Sequence, residues 1–114
     1  MATLSITDKL RNPTSDESQF VSELTNRPNE ALKSDFDSLT DEYANKGWTR
    51  KYFYDVCIEA INNVEPQSKQ FDLLDNFITG LTGECHPGYV IRLPNEPVDR
   101  NAFLEYVYSN EWRV

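Results

Sequence analysis

The chain's one histidine, His86, directly follows one of its two cysteines, Cys85, in the stretch GECHPGY at residues 83–89. A thiol, an imidazole and the neighbouring Glu84 carboxylate are the side chains from which thiol enzymes and zinc clips are built. A nucleophilic thiol needs a base aimed at its sulfur. Such Cys–His pairs come together from distant chain positions, because adjacent side chains diverge. No Asn or Asp with a recognisable local signature stands ready to orient the imidazole. Structural zinc asks for four ligands in closely spaced pairs. The chain has three Cys and His residues in all, and Cys57 lies far upstream of Cys85. Cys57 also falls on an apolar helical stripe, where a thiol behaves as a small buried hydrophobe. Pro87, Gly83 and Gly88 describe a turn. Both thiols are expected to be free, with a Cys57–Cys85 bridge as the alternative.

The carboxylates of DFDSLTDEY, residues 35–43, are spaced like calcium ligands but lack the central glycine and closing glutamate of a calcium loop. They also sit on a helical stripe. The chain has no phosphate-cradling glycine loop and no nucleophile elbow. No catalytic residue, metal or cofactor is assigned from the sequence, and the chain is read as a non-enzyme.

A binding surface is the remaining chemistry. The chain carries 19 acids against 11 bases among 114 residues, a net charge of −8. That balance opposes direct contact with nucleic acid, which needs clustered Lys and Arg, and favours a basic protein. The acidity is local. Between Asp16 and Glu42 lie eight acids and two bases, so this segment carries −6 of the −8. Within it, Glu30, Asp35, Asp37, Asp41 and Glu42 fall off the apolar stripe and are assigned to partner binding. Trp48, Tyr52 and Tyr54 follow directly and are assigned as aromatic anchors, since Trp and Tyr bury large area with few rotors. The competing reading is a solvated helix face beside rings that complete a small core.

The elements that must carry these residues are mostly helices. Residues 1–13 are read as an irregular arm. Thr14 and Glu17 form a capping box for a helix with Phe20, Val21 and Leu24 inward. A second helix, about residues 30–46, is capped by Asn29, has Leu32, Phe36, Leu39 and Tyr43 as its stripe, and stops at Gly47. Thr49 caps a third, about residues 50–64, with Phe53, Val56, Cys57, Ala60, Ile61 and Val64. A fourth, about residues 68–80, uses Phe71, Leu74, Ile78 and Leu81. YVIRL, near residues 89–93, is β-favouring and is expected as one short extended segment or sheet edge. Asp99 caps a last helix, about residues 100–108, with Phe103 and Val107 inward. The fold class is mainly α, a compact single domain over residues 1–114 of about five helices, with a small α+β arrangement as the alternative. No apolar run reaches the roughly 18 residues of a membrane span, and no secretory signal is legible, so residence in the cytoplasm is expected.

The segment Leu73–Trp112, through DNFITGL, the Cys-containing turn, VIRLPNEP and the closing FLEYVY…W, resembles the small immunity proteins of contact-dependent growth inhibition systems. The likeness covers about a third of the chain. It implies a cytoplasmic inhibitor that binds a toxin domain, a nuclease in many cases, and covers its active site or substrate groove. No contact residue is carried over, because such families share no residue-level binding motif. An acidic phage or mobile-element protein that mimics DNA against a host nuclease is the alternative.

Overall fold

In the computed structural model the described residues are 5–27, 33–85 and 87–113, without the side chains of 33–35. The order is α1 (Ile6–Arg11), α2 (Asp16–Thr25), α3 (Lys33–Ala44), α4 (Arg50–Ile61), α5 (Lys69–Thr82), a 3₁₀ turn (Pro87–Tyr89), α6 (Arg100–Ser109) and a second 3₁₀ turn (Glu111–Arg113). The fold is mainly α, as the periodicity requires, and no strand occurs among the described residues.

Helix starts follow their caps. The side chains of Ser5, Ser15, Thr49, Ser68 and Asp99 each accept a backbone N–H from the first turn that follows. Two expectations are corrected here. The arm expected before residue 14 contains α1. Its one apolar pair, Ile6 and Leu10, is too short to show a period, yet both side chains pack on the core. The α2 cap is Ser15, whose hydroxyl receives the Ser18 N–H at 3.1 Å, and not Thr14, which turns back to Asn12 Oδ1 at 2.8 Å. Asn29, Glu30 and Leu32 lie outside the described residues.

One core joins Phe20 and Leu24 of α2, Phe36, Leu39 and Tyr43 of α3, Phe53, Val56 and Cys57 of α4, and Leu73, Leu74, Phe77 and Leu81 of α5. Among the described residues the stripes of α2, α3 and α6 bury as read, apart from a half-buried Val21, and α4 buries the first four of its stripe. That of α5 is rotated. Leu73 and Phe77 go inward, while Phe71 and Ile78 are half-buried. The helix is apolar on two adjoining faces, and Gly80 selects between them. A Cβ there would lie 2.9 Å from Ile91 Cδ1, so glycine lets the returning chain close on this face without displacing the Ile91 side chain.

That returning chain is YVIRL. Its Tyr89 belongs to the 3₁₀ turn, which corrects the extended segment expected near 89–93, and residues 90–93 form no strand: the Ile91 N–H bonds the Gly80 carbonyl at 2.9 Å, and the Ile91 carbonyl accepts from Arg50 Nη2. Val90, Ile91 and Leu93 are buried and Arg92 is exposed, so the strict alternation of a half-buried strand is absent. A helix carbonyl and a guanidinium replace the second strand that this β-favouring run lacks. Arg50 is 1% exposed. It makes a bidentate pair with Glu96, Nε–Oε2 at 2.9 Å and Nη2–Oε1 at 2.7 Å, and donates to the Leu81 carbonyl at 2.7 Å. The Phe103 and Trp112 rings lie 5.6 and 5.7 Å from it. One side chain from α4 thus ties together the end of α5, the extended segment, the turn before α6 and the C-terminal rings.

Candidate functional site

The thiols carry no sign of activation. Cys57 is fully buried on α4 and Cys85 half-buried against Val90, Phe103 and Val107; both are unbridged. Burial pushes both thiols up, away from the thiolate that nucleophiles and metal ligands require. Gly83 ends α5 in the left-handed conformation at φ 82°, the helix stop expected at GECHPGY, and Glu84 is exposed. His86 lies outside the described residues. Among the described residues, no three His, Cys, Asp or Glu side chains converge as metal ligands would.

The acidic segment divides into three classes. Glu17 is buried, accepts the Tyr52 hydroxyl at 2.6 Å and lies 3.8 Å from Lys9, so it serves the interior. Asp37 is half-buried on α3. Glu23, Asp41 and Glu42 are exposed, and Asp16 keeps half its side chain in solvent. Glu30 and the Asp35 side chain fall outside the described residues. Glu23 of α2 and Glu42 of α3 line a shared groove of about 330 Å³ together with Asn26, Arg27, Ser38 and Leu39.

Tyr43 reports the field at this face. Its ring is buried while its hydroxyl donates to Glu23 at 3.2 Å. Burial first, then the Glu23, Glu42 and Asp16 charges, push its phenol well above the ordinary range. A cation already rests there: Lys46 Nζ is 3.3 Å from Asp16 Oδ1 and 4.7 Å from the Tyr43 ring centre. The Glu23, Glu42 and Asp16 charges, which add to the effect of burial, are the groups on this side that attract ammonium and guanidinium groups.

The three aromatics assigned as anchors are half-buried and engaged within the fold. Trp48 sits among Phe20, Tyr43, Tyr52 and Phe53, with ring centres 4.8–5.2 Å away. Tyr52 spends its hydroxyl on Glu17, and Tyr54 packs edge-on against Trp112 at 5.7 Å with Arg113 over its ring. Among the described residues, the large apolar side chains that do face solvent are elsewhere: Tyr89 at 63%, Val98 at 87% and Tyr108 at 45%. Turn placement at Gly88-Tyr89 and Pro97-Val98 was the available signal for the first two. Tyr108 lies off the Phe103/Val107 stripe. Trp48 looked exposed because its partners come from three helices, α2, α3 and α4, a meeting that no local pattern reveals.

Comparison with protein-family models, curated proteins and solved structures finds no match.

Proposed function

We propose that this chain is a non-catalytic inhibitor that binds a basic protein, a toxin nuclease domain, through the α2–α3 face. The observation that carries the reading is the exposed carboxylate set Glu23, Asp41, Glu42 and Asp16 around the α2–α3 groove, in a field that already holds Lys46. A nuclease groove built to hold phosphates presents Lys and Arg, the groups this face would receive. Occupation of that groove excludes substrate without chemistry by the inhibitor. Long-range attraction speeds the encounter, and desolvated contacts slow dissociation. The resemblance over Leu73–Trp112 adds the toxin and its cytoplasmic setting, and the buried Cys57 and half-buried Cys85 lend nothing to a hydrolytic alternative.

The test is co-purification of the chain with the protein encoded beside it, followed by assay of that protein's nuclease activity. We expect a one-to-one complex and loss of activity, both weakened by Glu23→Lys, Asp41→Lys and Glu42→Lys together. Full inhibition by the triple variant at low salt would remove the α2–α3 face from the account. No complex would remove the inhibitor reading.

A further inference from the structure

A second surface, opposite in sign, lies at the other end of the chain. Arg92 and Arg100 line one groove of about 180 Å³, whose other walls include Pro87, Val90, Phe103 and Leu104. Both arginines are exposed. The ion pairs among the described residues use Lys9, Lys46, Arg50 and Lys51, so neither guanidinium is neutralised by a carboxylate of those residues. In a chain with 19 acids and 11 bases, two such cations sharing one groove are a departure from the prevailing charge.

The two arginines are held differently. The Arg92 guanidinium carbon lies 4.4 Å from the centre of the Phe103 ring, and its Nη1 donates to the Val98 carbonyl at 3.2 Å. These two contacts hold the fork in place, and a guanidinium so placed suits recognition of a carboxylate. Arg100 stands at the first position of α6, beside Asp99, whose carboxylate caps the Ala102 N–H at 3.0 Å. The groove's lining mixes the two arginines with apolar side chains, of which Val90 and Phe103 are themselves buried. Val98 and Tyr89, two of the large apolar residues most open to solvent, flank it, the first through its carbonyl to Arg92 and the second next to Val90 in sequence.

We propose that this groove docks an acidic segment of a protein partner, one side-chain carboxylate reaching Arg92 and Arg100 while its apolar stem and neighbours cover Leu104, Tyr89 and Val98. A cationic groove beside exposed apolar side chains fits a carboxylate carried on a short hydrocarbon stem, and those side chains add the area that a bare anion does not use. A second copy of this chain is disfavoured as occupant because each copy brings a charge of −8. This inference is independent of the α2–α3 reading, since it concerns the opposite charge and a different pair of elements.

The test is an amide NMR titration of the full chain with the blocked tripeptide Glu-Trp-Glu, with Gln-Trp-Gln as the uncharged control and inorganic phosphate as the small-anion control. Saturable shifts at Val90, Arg92, Arg100 and Phe103 are expected with the acidic peptide alone. Arg100→Gln, at an exposed side chain whose loss leaves the core intact, should weaken binding about tenfold, as a lost charge-assisted bond does. Arg92→Gln should act in the same direction. Three results overturn the proposal: no saturable shift with the acidic peptide, equal binding by Arg100→Gln, or equal shifts from phosphate, which would mark a small-anion site.

Discussion

Arg50 with Glu96 and the exposed carboxylates of α2 and α3, Asp16, Glu23, Asp41 and Glu42, use charge in opposite ways. The first pair is removed from water, bidentate, and completed by two backbone carbonyls. The second group is solvated, loosely paired and aimed outward. Burial makes the arginine a structural tie whose removal strands Glu96 and two carbonyls in the interior. Exposure leaves the carboxylates nearly irrelevant to stability and available to a partner. The lesson is that the C-terminal third folds around a polar knot, while the acidic third folds around its rings and keeps its charge for the surface.

Substitutions can break that contrast. The largest effect is expected from Arg50→Met, which should destabilise the chain by about 3–5 kcal/mol because a buried carboxylate loses its partner. Chemical denaturation followed by circular dichroism measures it, and a cost below about 1 kcal/mol would mean that water reaches Glu96. Gly83→Ala comes next. The added Cβ would lie 2.5 Å from the Tyr108 ring at a backbone φ of 82°, a combined cost of about 2–3 kcal/mol. Gly47→Ala, at φ 101° with open space around it, should cost only the backbone share, about 1 kcal/mol. Thermal melts of the two variants side by side separate the crowded C-terminal corner from the open acidic one.

Smaller still is Tyr52→Phe, which leaves the largely buried Glu17 without its hydroxyl donor and should cost about 1–2 kcal/mol. Asp41→Lys with Glu42→Lys should move stability by no more than about 0.5 kcal/mol, since both side chains are exposed. The thiols titrate in line with their burial. With Cys85 raised above its ordinary value, the protonated form persists to higher pH, so alkylation at pH 8 should lag a free thiol and climb steadily above pH 9. Cys57 should react only on unfolding. Because burial favours the neutral thiol in the folded state, the linked stability is present at neutral pH and falls as pH rises through the unfolded thiol's pKa.

Much of this was legible in the chain, and the rest failed for identifiable reasons. Caps at Thr49 and Asp99, the stop at Gly83 and the stripe Phe36–Leu39–Tyr43 are local signals, and they stand. Helix α1 was missed because six residues hold a single apolar pair. The α5 face was misread because two faces were equally apolar and Gly80 decided between them through a residue eleven positions later. Arg50 gave no warning at all: one basic residue after a helix cap reads as surface, and only the meeting of residues 81, 91 and 96 makes it a centre. Of the candidate site, the outward Asp41 and Glu42 were readable from the helical stripe. The inward turn of Trp48 and Tyr52 was not, because it depends on Phe20 and Glu17 of another helix.

The central claim is that the exposed carboxylates beside α2 and α3 draw in a basic partner. The most direct measurement is the association rate between this chain and the protein encoded beside it, across salt concentration, for the unaltered chain and for the Glu23→Lys, Asp41→Lys, Glu42→Lys variant. The account predicts a rate at low salt at least about tenfold lower in the variant, with a flattened salt dependence. Equal rates and equal salt slopes for the two chains would contradict it.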